Sequence, residues 1–185
     1  MKRWITTFLI PFMLIGCTPK PHSMDKFDIF RQTLLESSNV AFTAEITADY
    51  GDEIYSFVVE CTANESGDLS FEVMMPDTIS GIQGMVSGES GHLTFDDHVL
   101  AFKSIADDRL TPVTSPWVFL RALRGGYITS CGNIDDGYLA VIQDTFHDNP
   151  LTIEVSFYDD KPLGAEIYWN HSRVITLVIQ NFTLL

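Results

Sequence analysis

Five histidines (His22, His92, His98, His147 and His171), three cysteines (Cys17, Cys61 and Cys131) and four adjacent aspartate pairs are the side chains in this sequence best suited to chemistry. A nucleophilic triad needs a serine or cysteine beside a histidine, and a zinc site needs His, Cys or carboxylate ligands at short, fixed spacings. Neither pattern occurs. There is no His-Glu-x-x-His, no Cys-x-x-Cys and no Gly-x-Ser-x-Gly, and the histidines fall in the N-terminal stretch or in expected turns and strand ends. The aspartate pairs at 96–97, 107–108, 135–136 and 159–160 separate alternating apolar runs. Asp favours turns there for backbone reasons, with calcium binding or acid–base work the lesser alternative. Gly81, Gly84, Gly88 and Gly91 punctuate a run with no strand-to-helix junction, which argues against a phosphate-cradling loop. The residues therefore point to a protein that is not an enzyme and uses neither cofactor nor metal.

Cys17 stands apart from this group. Lys2 and Arg3 precede an apolar stretch from Trp4 to Ile15, the basic and apolar regions of an export signal. The stretch is too short to span a bilayer, which takes about 20 apolar residues. It closes on Leu14-Ile15-Gly16-Cys17, which resembles the lipobox of bacterial lipoproteins. The resemblance implies removal of residues 1–16 as a lipoprotein signal peptide and a diacylglyceryl thioether on Cys17. Thr18-Pro19-Lys20-Pro21 then reads as an extended tether within residues 17–23. Acyl chains stabilise membrane attachment by about 0.8 kcal/mol per buried CH₂, and two or more hold a protein durably. The expected location is the cell membrane or outer membrane, lipid-anchored, on the extracytoplasmic side.

The remaining chain, 24–185, is one domain's worth of sequence and long enough to bury a sizeable core. The full chain's net charge of −14 becomes about −16 once Lys2 and Arg3 leave with the signal, a surface that repels nucleic acid and anionic headgroups. Cys61 and Cys131 could pair in an oxidising compartment or remain two separate thiols, and the sequence leaves both open.

Phe27, Phe30, Leu34 and Leu35 recur at near-helical spacing across Met24 to Glu36, with Asp25 and Asp28 in the first turn. From Val40 the period changes to two, with Val40, Phe42, Ala44, Ile46, Ala48 and Tyr50 on one face. Strands are expected at 40–50, 55–61, 69–75, 83–87, 92–95, 99–105, 127–133, 138–146, 151–158, 163–169 and 174–182, in a continuous meander. A second helix is marked between Thr114 and Gly126 by a Ser115 cap, Pro116, the cations Arg121 and Arg124, and the closing glycines. The total is about ten or eleven strands and two or more helices, an α+β, mainly β, fold. One antiparallel sheet of that size must curl, and its apolar face must be covered.

This order of elements resembles the lipoprotein-carrier family, which comprises the periplasmic carrier and outer-membrane receptor for lipoproteins and their lipid-binding relatives. The likeness is carried by Asp68-Leu69-Ser70-Phe71-Glu72-Val73-Met74-Met75-Pro76, then Ile79-Ser80-Gly81-Ile82, then Leu93-Thr94-Phe95-Asp96-Asp97-His98-Val99-Leu100. It implies a single strongly curved antiparallel half-barrel closing over helices. It also implies a ligand-binding function, with an acyl chain or other apolar ligand held against Phe42, Ile46, Phe57, Phe71, Val73, Phe157 and Trp169 beneath the helix that bears Trp117. The plainer alternative is that these residues fill the core. The family's lid-latching arginine on an early strand has no counterpart, because no Arg occurs between Arg31 and Arg109. A second functional class is a non-enzymatic docking partner of an envelope protein, for which a germination lipoprotein of this fold that binds a spore-cortex amidase is a precedent.

Overall fold

The computed structural model describes residues 22–87, 92–95, 106, 108–145 and 149–185. Helix α1 (Ser23–Glu36) begins one residue before its apolar pattern, because His22 caps it: the His22 N–H donates to Asp25 Oδ2 at 3.1 Å and Nδ1 accepts from the Met24 N–H. Phe27, Phe30 and Leu34 face inward, whereas Leu35, which shares the near-helical spacing, points to solvent with Ile29.

The strands are β1 (Asn39–Asp49), β2 (Ile54–Asn64), β3 (Leu69–Met75), β4 (Gln83–Ser87), β5 (His92–Phe95), β6 (Tyr127–Ile134), β7 (Gly137–Gln143), β8 (Thr152–Tyr158), β9 (Lys161–Trp169) and β10 (Ser172–Leu184). They form one open antiparallel sheet in the order β5-β4-β3-β2-β1-β10-β9-β8-β7-β6. The expected strand at 99–105 lies outside the described residues. The meander is not continuous, a correction to the sequence reading. The first five strands step outward from the centre, the chain passes to the opposite edge, and the last five step back until β10 pairs with β1. Asn39 and Leu185 close that seam with reciprocal bonds of 3.1 and 2.9 Å. A single meander would leave β1 and the 13-residue β10 as edges; this arrangement places both in the middle and, among the described strands, leaves the shorter β5 and β6 outermost.

Ten strands laid flat would span roughly 43 Å at about 4.8 Å per gap, while α1 is only about 21 Å long at 1.5 Å per residue. Residues from β3 and β4 nevertheless share one core with residues from β7 and β8 and with both helices, so the sheet wraps around them. The alternation is regular: on β1, Val40, Phe42, Ala44, Ile46 and Ala48 are all buried while Glu45 and Asp49 are exposed. Two-residue turns with positive φ at both positions, Asp159-Asp160 and Asn170-His171, join β8 to β9 and β9 to β10, which is the backbone geometry that matches strand twist.

Helix α2 (Ser115–Gly125) departs from its expected cap. Ser115 lies inside the helix and donates to the Pro112 carbonyl at 2.6 Å. The polar wrap comes a turn earlier, where Thr111 and Thr114 exchange side chain to backbone bonds around the 3₁₀ turn Pro112–Thr114. Eight of the helix's residues, from Ser115 to Leu123 except Arg121, are buried. Every strand pairing and core residue among the described residues lies between Ser23 and Leu185.

Candidate functional site

Seven of the eight residues expected to meet an apolar ligand, Phe42, Ile46, Phe57, Phe71, Val73, Trp117 and Phe157, are buried in the common core, and Trp169 packs at its margin. Two aromatic groups occupy much of this space. The Phe157 ring lies 4.6 Å from Tyr138 and 5.0 Å from Phe30, with Phe27 at 5.7 Å; the Phe42 ring lies 5.8 Å from both Phe119 and Phe182. Contacts at these separations are those of rings filling a core.

Trp117 is placed differently, because it borders open space as well as the core. A cleft of about 660 Å³ runs between α2 and the turn from β2 to β3. Trp117, Leu120, Arg121, Arg124 and Gly125 form its helical wall, and Glu65, Ser66 and Gly67 the opposite one. Positions 117, 120, 121 and 124 fall on one helical face by their spacing of three and four. The volume lies within the range of small-ligand sites, about 300–1,000 Å³. On the other side of the indole is a second cleft of about 390 Å³, lined by Arg109, Val118, Asp144 and Leu151 among others. There Arg109 stacks 4.7 Å over Trp169, pairs with Asp144 at 3.7 Å and donates to the Asn149 carbonyl at 2.7 Å.

Arginines tie the helices in place. Arg31 of α1 stacks on Phe27 and donates to the carbonyls of Leu123, Ala122 and Gly126 at 2.7, 3.2 and 3.0 Å, satisfying the C-terminal end of α2. Arg124 of α2 donates through Nη2 to the Asn64 carbonyl at 2.9 Å. Its Nη1 is buried without an acceptor, close enough to the β2–β3 turn that a Cβ on Gly67 would sit 3.4 Å from it. A buried donor left in this state costs about 1–3 kcal/mol. Burial lowers the pKa of both guanidiniums, opposed at Arg31 by Asp28, yet an arginine remains charged at neutral pH. Arg121 stacks 5.0 Å over the Trp117 ring and lines both clefts.

The sequence reading identified Trp117 but missed its companions, since Arg121 and Arg124 served there only as complements to the helix dipole. The spacing of 117, 120, 121 and 124 was the signal that could have grouped them. Glu65, Ser66 and Gly67, on a turn some fifty residues away, carried no such signal. The remaining chemistry-bearing groups stay apart. His22 caps α1 and His171 occupies a turn; His98 and His147 lie outside the described residues. Cys61 is buried on β2, Cys131 is half-buried on β6, and neither is in a disulfide. Burial pushes both thiol pKa values up. Among the described residues no three His, Cys, Asp or Glu side chains are grouped to hold a metal, and no helix is long and apolar enough to cross a membrane.

No protein-family model matches the chain, and no curated protein matches it in sequence. Solved structures resemble it in fold. A LolA superfamily protein from Nitrosomonas europaea is 10% identical, with 90% of this chain and 94% of that one covered and a TM-score of 0.42. A DUF1329 family protein from Desulfovibrio piger is 8% identical, with 89% and 94% covered and a TM-score of 0.41. A putative outer membrane lipoprotein-sorting protein domain from Vibrio parahaemolyticus is 8% identical, with 86% and 91% covered and a TM-score of 0.39. What the cleft holds has to be read from its own residues.

Proposed function

We propose that this protein is an exported lipoprotein, held at the outer face of a membrane through a diacylglyceryl group on Cys17, whose α2 cleft takes an apolar or amphiphilic ligand without catalysing a reaction on it. The cleft carries this reading: 660 Å³ of space beside a tryptophan and a leucine on a helix otherwise sunk in the core. Anchoring is supported by the Lys2-Arg3 start, the short apolar run and the Leu14-Ile15-Gly16-Cys17 ending.

Native mass spectrometry on residues 17–185 with Cys17→Ser, purified without detergent and then exposed to a bacterial lipid extract, tests the ligand. Added mass that is lost on denaturation and reduced in Trp117→Ala is expected; a bare protein mass would overturn the reading. For the anchor, full-length Cys17→Ser should move from the membrane to the soluble fraction, and its staying membrane-bound would exclude lipidation as the means of attachment. Docking on an envelope protein is the competing function, favoured by the half-exposed Leu163 and Val178 beside a depression of about 380 Å³ on the outer sheet face. Crosslinking from position 163 in intact cells would reveal such a partner.

A further inference from the structure

We infer that the α2 cleft is built for an amphiphile with an anionic head, a carboxylate or phosphate on a single apolar chain, and that Arg121 and Arg124 hold the head. This rests on the ligand-binding reading above and specifies its chemistry. The cleft has two kinds of lining on one turn-spaced face: the largely buried Trp117 and Leu120 form its apolar floor, and Arg121 and Arg124 bring guanidinium groups to it. A wholly apolar ligand would meet only the first pair, whereas the head of an anionic amphiphile can also take charge-assisted bonds from the guanidinium groups at the rim.

The local charge agrees. In a chain of net charge −14, the described residues that line this cleft include two cations and one carboxylate, Glu65. The bonding state of Arg124 points the same way. One edge of its fork is occupied by the Asn64 carbonyl, while Nη1 has no acceptor and lies under Gly67, a residue without a side chain, at φ +87° in the turn. An oxygen in the cleft reaches that buried donor only if the Ser66-Gly67 peptide shifts aside. Arg31 provides the control within the molecule: a helix arginine of similar burial whose donors are met by three backbone carbonyls, and which lines neither cleft. The indole beneath Arg121 holds that guanidinium against the apolar wall, where head and chain of one ligand can be met together.

Isothermal titration of residues 17–185 with Cys17→Ser, using laurate and its uncharged glycerol monoester as probes, tests the assignment. Laurate is expected to bind at least tenfold tighter than the ester, and the preference is expected to fall to threefold or less in Arg121→Met or Arg124→Met. Arg124→Met also removes the tie to Asn64, so Glu65→Gln serves as a variant that cuts no tie: it should tighten laurate severalfold and leave the ester unchanged. Equal binding of both probes, unmoved by the three substitutions, would overturn the anionic-head assignment while leaving an apolar-ligand site standing. Binding of neither probe would overturn both.

Discussion

The floor under α1 and the margin beside α2 are made of the same residue types and differ in how closely each is packed. Under α1, Phe27, Phe30, Tyr138, Phe157 and Phe182 lie ring against ring, Arg31 spends its donors on three carbonyls, and the one buried polar atom there left without a partner among the described residues, the Tyr138 hydroxyl, has neither cleft beside it. Beside α2, the largely buried Trp117 has one edge at each of two clefts, and Arg124 keeps a buried N–H with no acceptor. A close-packed region is a stability element, because each atom removed leaves a cavity. A region with space and unmet donors has interactions left to make, which is what a binding site requires.

The sharpest way to break this contrast is to truncate one ring on each side. Phe157→Ala should lower stability by about 3–5 kcal/mol in urea unfolding, since the site has partners on several sides and little room to collapse. Trp117→Ala should cost clearly less than that and instead abolish ligand binding. Equal losses of stability would mean that the α2 margin is core like the rest. The arginines come next. Arg31→Met should cost about 2 kcal/mol by stranding the end of α2, while Arg124→Met should cost under about 1 kcal/mol, because the lost bond to Asn64 is offset by removal of a buried unpaired donor.

Two adjacent glycines give a smaller and more local comparison. A Cβ on Gly126 would lie 2.4 Å from Ile142 Cγ2 and 2.8 Å from the Ala122 carbonyl, whereas one on Gly125 meets nothing within 4 Å. Gly126→Ala should therefore lower stability by about 1–3 kcal/mol through overpacking. Gly125→Ala, at the helix end and with ordinary negative φ, should raise it by up to about 1 kcal/mol. Thermal or urea melts of the two variants separate them by sign.

These contrasts also mark what could be read in advance. Strands β3, β4 and β5 begin and end where alternation meets Asn, Asp, Gly and Pro, and helix α1 follows Phe27, Phe30 and Leu34, because those signals are local. The pairing of β1 with β10 was not legible, since it joins Asn39 to Leu185 and depends on which pair of strands the whole sheet can spare from its edges. Strand β6 was legible in its extent, expected at 127–133 and found at Tyr127–Ile134, but not in its place in the sheet, because its mostly exposed side chains show no buried alternation. The apolar residues of the core were identifiable by type and period. The spacing of 117, 120, 121 and 124 places four residues on one helical face, but that this face borders space, and that one of its arginines lacks an acceptor, depend on packing between distant segments.

Cysteine reactivity gives the mildest test of the same division. Cys61 sits inside on β2, three residues before the Asn64 carbonyl that Arg124 grips, and Cys131 is half-exposed on the β6 edge, where Ser23 donates to its carbonyl. Burial is the first cause of the raised pKa at both, so both should react with iodoacetamide at pH 8 more slowly than a free thiol. Cys131 should be modified first and alone. A raised thiol pKa in the fold stabilises it below the ordinary value near 9, and that contribution is lost as pH rises above 9, so Cys61 should become reactive in step with alkaline loss of stability. Peptide mass mapping over time separates the two sites. Laurate bound in the α2 cleft should slow modification of Cys61 and leave Cys131 unchanged, because only β2 continues into the turn that closes the cleft. Early labelling of Cys61 would instead mean that the β2 side opens more readily than the sheet edge, and the difference between the two regions would then be one of motion and not of unmet contacts.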